Sequence, residues 1–227
     1  MSAQIALVTG ANKGIGFEVA RQLAAKGWRV FLGARKERAG REAAEKIGGR
    51  FLKMDVADAA SIRSAAEEFS READHLDVLF NNAGIIAEGD EEILRTTPEQ
   101  WNETMRTNAL GPLLVSQAFL PLLKKSQRPR IVNVSSGGGQ LDGGADGWAP
   151  AYCISKTALN SVTVQLAAAL PKLAVNCVCP GWVRTDMGGP NARESVADAA
   201  VDLVWLAVDA PQNLTGKFLR HRKEIPW

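Results

Sequence analysis

Seven short apolar runs recur along this chain, and most are followed by an amphipathic stretch. The runs are QIALVTG (4–10), RVFLGA (29–34), RFLKMD (50–55), DVLFNNAG (77–84), RIVNVSS (130–136), AVNCVCPG (174–181) and GKFLR (216–220). Nearly all are solidly apolar instead of alternating with polar residues. A strand exposed to water on one face shows period-two patterning, so solid runs indicate strands covered on both faces. The stretches between them, 15–26, 37–47, 60–73, 98–124 and 151–170, carry apolar residues at helical spacing, and SVADAAVDLVWLAVDA after residue 194 reads as a further helix. Strand then helix, repeated, specifies an α/β fold in which a parallel sheet is wrapped by helices. No repeat, low-complexity tract or Pro/Ser-rich linker divides the sequence, so residues 1–227 are expected to form one domain. Such sheets bind ligands at the carboxyl ends of their strands, near the point where strand order reverses.

The first of these ends reads VTGANKGIG, with Gly10, Gly14 and Gly16 between a strand and a helix. Glycine allows a tight turn and lets backbone N–H groups approach a pyrophosphate at the positive end of the helix. The spacing differs from G-x-G-x-x-G but suits the same task. The expected fold is therefore a single Rossmann-type domain, doubly wound, with a seven-stranded mainly parallel sheet and helices on both faces. Twenty residues on, where an NAD site commonly carries an acid for the ribose hydroxyl, the chain has Ala34 and then Arg35. Arg35, with Lys13 inside the glycine loop, suits a ribose 2′-phosphate, so NADP(H) is the expected cofactor.

Charge and cysteine content exclude other classes. The chain holds 27 basic and 25 acidic residues, net +2, which gives no electrostatic reason to expect nucleic acid or an acidic membrane surface. No apolar run approaches the roughly 18 residues needed to cross a bilayer, and the N-terminus enters a strand at once, so a cytoplasmic protein is expected. Cys153, Cys177 and Cys179 cannot all pair, and the only histidines, His75 and His221, are remote from them in sequence. The cysteines read as small buried apolar residues, and no metal site is expected.

The only tyrosine, Tyr152, stands four residues before Lys156 in AYCISK. Residues four apart share a helix face, so an ammonium there can stand beside the phenol and favour its ionised form. A free phenol has a pKa of about 10 and is a serviceable proton donor at neutral pH. Carbonyl reduction leaves charge on oxygen and needs such a donor.

Together these segments resemble the short-chain dehydrogenase/reductase family, in order and over nearly the whole chain: TGANKGIG (9–16), MDV (54–56), NNAG (81–84), Asn108 in RTNALGP, VNVSS (132–136), YCISK (152–156) and PGWVRTDM (180–187). Within it, NKGIG and CPGWVRTDM are most similar to the NADPH-dependent carbonyl reductases. The resemblance implies an NADPH-dependent oxidoreductase that reduces a ketone, aldehyde or quinone to an alcohol by hydride transfer. It implies a catalytic set of Asn108, Ser136, Tyr152 and Lys156. Tyr152 would be the general acid, Ser136 would hold the substrate carbonyl, and Lys156 would bind the nicotinamide ribose and lower the phenol's pKa. Asn108 would maintain a water-linked proton path to Lys156. Cofactor contacts are implied at Gly10, Asn12, Lys13, Gly14, Ile15, Gly16, Arg35, Asp55, Val56, Asn82, Ala83, Gly84, Tyr152, Lys156, Pro180, Gly181, Val183 and Thr185. Ser136 is the second serine of the family's pair.

The stretch between Ser136 and Tyr152 is glycine-rich and longer than in most relatives. Leu141, Trp148, Trp182 and Met187 lie near the expected mouth and suit an apolar carbonyl compound, although the tryptophans have packing as an alternative role. After TDMGGPN the sequence is soon helical, so any lid is short. Leu113, Leu114, Phe119, Val162 and Leu166 exceed what one buried stripe needs, and relatives often pair through these helices, so a homodimer or homotetramer is expected. Two other readings compete. A non-catalytic NADP(H) sensor or scaffold would not need the Tyr/Lys/Ser/Asn set, and the nucleotide-sugar epimerases carry an additional C-terminal substrate domain.

Overall fold

The computed structural model describes residues 3–227. In chain order the elements are β1 (Ile5–Thr9), α1 (Gly14–Ala25), β2 (Arg29–Ala34), α2 (Glu37–Ile47), β3 (Arg50–Lys53), α3 (Ala59–Glu72), β4 (Val78–Asn81), α4 (Pro98–Met105), α5 (Gly111–Leu123), β5 (Arg130–Val134), α6 (Pro150–Ala169), β6 (Ala174–Val178), α7 (Val196–Val208), β7 (Phe218–Arg220) and β8 (Lys223–Glu224). The sheet order is β3-β2-β1-β4-β5-β6-β7-β8. Strand order reverses between β1 and β4, which pair in parallel with Val8 opposite Phe80. That reversal opens a crevice at their carboxyl ends.

The solid apolar strands have a direct explanation. Successive side chains of a strand point to opposite faces. Ala6 and Val8 of β1 join Val30, Phe80 and Val132 beneath α1 and α7, while Ile5 and Leu7 join Phe31, Leu79 and Ile131 beneath α3 and α5. Phe31, Phe69 and Phe119 form an aromatic chain in the second layer, with ring centroids 4.2 and 5.4 Å apart. Phe119 therefore belongs to the core and not to an outward face, and Leu114 and Leu166 also pack against that core.

Three sequence expectations are corrected. Among the described residues there are eight strands in place of seven, because Arg220↔Lys223 and Leu219↔Glu224 pair antiparallel in a terminal hairpin. Its two-residue turn places His221 at φ 49° and Arg222 at φ 60°. Both positions of that turn type favour glycine or asparagine, and HR carries neither signal. Second, 98–124 is not one regular helix, since a π-helical turn over Arg106–Leu110 separates α4 from α5. Third, β3 to β6 stop two or three residues before the apolar runs do, as the runs' last residues leave the sheet to build the crevice.

Candidate active site

The carboxyl ends of six strands, β1 to β6, supply the site. Past β1, Gly10 and Gly14 adopt φ 64° and 59°, a region closed to most side chains. A Cβ on Gly10 would approach Ala83 Cα to 2.9 Å, and one on Gly16 would collide with Asn82 Nδ2. Bare glycine thus lets the loop close onto Asn82–Gly84 past β4. Thr9 fixes that contact, its Oγ1 accepting from the amides of Asn82 and Ala83, each at 3.0 Å, while Asn82 Nδ2 donates to Thr9 O at 2.9 Å. A Cβ on Gly14 would meet Thr185 Cγ2 at 3.5 Å, so the segment past β6 closes the far side. Val183 is buried there, and Gly181, at φ 85°, leaves no room for a side chain against Glu194.

The remaining sequence-predicted cofactor residues lie along the same edge. Arg35 is exposed just past β2, and Ile15 packs partly buried on the core. Asp55 follows β3, its Oδ1 accepting from Ala57 N at 2.9 Å, and Val56 is buried beside it. Pro180 is partly buried. Asn12 instead lines a hollow of ≈140 Å³ with Phe17, Ala39 and Lys46. Lys13 pairs with Asp186 across the mouth of the crevice. A larger cleft of ≈520 Å³, lined by Asp74, His75, Asp77 and Ser126, holds none of the predicted residues.

Tyr152 lies in the first turn of α6 and Lys156 one turn later, both buried. Lys156 Nζ donates to Val134 O at 2.9 Å and stands 5.6 Å from the Tyr152 ring centroid. Gly84 lies against it, since a Cβ there would come within 3.4 Å of Nζ. Burial pushes the phenol up to about 12, against the pull of the Ser136 hydroxyl. The ammonium is turned to a backbone carbonyl, and desolvation of the phenolate dominates. Burial likewise pushes Lys156 down to about 8. At neutral pH the pair is therefore a protonated phenol beside an ammonium.

Ser136 leaves β5 with its Oγ accepting from Gly138 N at 3.1 Å. Ser135 turns the other way, buried, and donates to Asn160 Oδ1 at 2.6 Å. The second serine is thus the one beside the phenol. Asn108, fully buried in the π turn, accepts from Ile85 N at 2.9 Å and donates to Ile85 O at 2.8 Å and Ser155 Oγ at 3.0 Å. Its side chain braces the post-β4 segment against α6, and it makes no hydrogen bond to Lys156 among the described residues. Sequence reasoning missed Thr9, Ser135, Ser155 and Asn160, whose partners are remote in sequence.

Leu141, Trp148, Trp182 and Met187 are all exposed. Trp148 stands edge-on to Tyr152, ring centroids 5.7 Å apart. Trp182 Nε1 donates to Gly188 O at 2.8 Å and braces its own loop. The amides of Leu141 and Asp142 donate to Trp227 O, and Trp227 stacks on Phe218 at 5.5 Å. The end of the chain therefore holds the loop that precedes Tyr152.

The sequence model of a family described as short chain dehydrogenase matches residues 4–195. The chain belongs to the short-chain dehydrogenase family. Among its relatives, this short-chain dehydrogenase is 36% identical to (+)-neomenthol dehydrogenase of Arabidopsis thaliana, over 97% of this chain and 96% of that one. It is 34% identical to carbonyl reductase [NADPH] 1 of Mus musculus, over 100% and 99%. In structure it is similar to the NADPH-bound carbonyl reductase from chicken fatty liver, with TM-score 0.90, 31% identity and 100% of both chains covered. The family accounts for the Rossmann-type sheet and for an oxidoreductase; the site residues give the chemistry its particulars.

Proposed function

We propose that this short-chain dehydrogenase is an NADP(H)-dependent carbonyl reductase in which Tyr152 protonates the oxygen of a ketone, aldehyde or quinone. One observation carries the reading: the chain's sole phenol is buried, with Ser136 and Lys156 beside it, at the strand ends that also carry the glycine loop. The loop fits a dinucleotide, because the positive-φ glycines leave backbone N–H groups uncovered at the start of α1. Arg35 and Lys13 are the cations for a 2′-phosphate, Lys13 exchanging the Asp186 carboxylate for it. That two relatives are named or described with NADPH supports the choice. When bound, NADPH supplies the hydride. Ser136 donates to the substrate carbonyl and holds it against the phenol. Tyr152 gives up its proton as charge grows on that oxygen. Lys156, charged below pH of about 8, stabilises the phenolate left behind and binds the nicotinamide ribose. Asn108 keeps Ile85 and α6 in register. The substrate is a small apolar carbonyl compound, as the exposed Trp148 beside the phenol favours. The active form is a homodimer or homotetramer in the cytoplasm.

NADPH consumption, followed by absorbance over a panel of ketones, aldehydes and quinones, tests this. Turnover is expected with at least one class, and Tyr152→Phe should reduce kcat by about 100-fold or more while NADPH affinity stays within a few-fold. Retained turnover in Tyr152→Phe removes Tyr152 as the acid. No turnover with any compound, with NADPH still bound, leaves a sensor.

A further inference from the structure

We propose that Asp90 is the positioning residue for Tyr152, capping α6 from a loop sixty residues upstream and fixing the depth at which the phenol sits. The first N–H groups of a helix have no partner within it. Here the N-cap position is Ala149, which has no side-chain acceptor and is itself held at φ 42°. Pro150 at the first helical position has no N–H. The next two amides, Ala151 and Tyr152, both donate to the Asp90 carboxylate, at 3.0 Å to Oδ1 and 2.9 Å to Oδ2. Asp90 is buried, so its charge is met by these amides and the positive end of the helix.

The backbone of Tyr152 is consequently clamped twice. Its N–H is held by Asp90, and its carbonyl accepts from Ser155 Oγ at 2.6 Å. Ser155 Oγ in turn accepts from Asn108, which also holds Ile85 at both N–H and C=O. The segment from Asn82 to Asp90 thus touches the glycine loop at one end and the tyrosine at the other. Asp90 is presented by a turn built for it. Gly89 takes φ 72°, Asp90 N donates to Ala87 O at 3.3 Å, and Gln100 of α4 donates to Glu88 O at 2.8 Å. No residue of 85–92 drew notice in the sequence, because a carboxylate in GDEE looks like solvated surface.

This inference rests on Tyr152 as the general acid, and the test separates the two. Because Tyr152 is the only tyrosine, ¹³C labelling of tyrosine gives one ring resonance whose titration reports its ionisation directly. In Asp90→Ala the uncapped first turn admits water, so the phenol should titrate below the wild-type midpoint, toward the ordinary value. With saturating NADPH and a carbonyl substrate that the wild type reduces, Asp90→Ala should lower kcat by about 100-fold, with the NADPH dissociation constant within about threefold. Asp90→Asn keeps one acceptor oxygen and should recover most of both losses. An unchanged titration together with an unchanged kcat in Asp90→Ala overturns the inference. So does a loss in Asp90→Ala that Asp90→Asn does not relieve at all, or one in which NADPH affinity falls in proportion to kcat. Should Tyr152→Phe retain turnover while Asp90→Ala still shifts the titration, the cap stands and the acid assignment falls.

Discussion

Burial, more than charge, sets the chemistry of the two residues that the Tyr-x-x-x-Lys spacing singles out. A phenol at about 12 holds its proton through the whole working range, which suits reduction, and it gives no base for the reverse direction until a second positive charge lies nearby. Lys156 carries the pH dependence. With a folded value of about 8 and an ordinary value of 10.5, it is charged in both states at pH 7, and its burial costs about 3 kcal/mol there. As pH rises from about 8 toward 10.5, the folded state has lost the proton and the unfolded state has not, so this cost diminishes and stability rises. Above pH 10 the phenol acts in the opposite sense, because the unfolded state ionises first. Lys156→Met is expected to abolish the rise in stability between pH 8 and 10.5, read by urea unfolding at several pH values. A variant whose stability tracks the wild type across that range would mean that burial imposes no such cost.

At the level of elements, the π turn is the feature that most shapes the site. It shifts Asn108 inward and brings α5 up to the strand-end segment beyond β3. Gly111 is what permits the approach, since a Cβ there would lie 2.7 Å from Val56 O. Neither backbone can yield without moving Asp55–Val56 or the turn itself. Gly111→Ala should therefore destabilise the protein by about 1–3 kcal/mol, despite alanine's better helix propensity. Thermal unfolding decides it, and a stabilised variant would show that the helix can draw back freely. The sequence reads 98–124 as one helical stretch; the tight contact of Gly111 with Val56 appears once β3 is in place.

For the whole molecule, two apolar layers on one sheet fix where the helices lie and leave a modest outward face on α4 to α6, where Trp101, Leu110 and Val164 stay exposed. Phe119, Leu114 and Leu166 serve the core, so that face is smaller than the sequence suggested. Sedimentation velocity at micromolar concentration should still show a dimer or tetramer, and a monomer there would reject association through these helices. No helix among the described residues is long and apolar enough to cross a membrane.

Much was legible in the linear chain because its signals are local. Solid apolar runs, glycine at positions of positive φ, and a tyrosine one helical turn before a lysine follow from short-range sterics and periodicity, and they determined the sheet, the glycine loop and the placement of Tyr152 beside Lys156. The hairpin, the π turn and the inward Phe119 did not follow, because each depends on what is packed alongside. Asp90 shows the reason most plainly: its carboxylate acquires meaning only when β4 and α6 meet, and hydrogen bonds between residues 61 and 62 positions apart leave no periodic trace in the sequence.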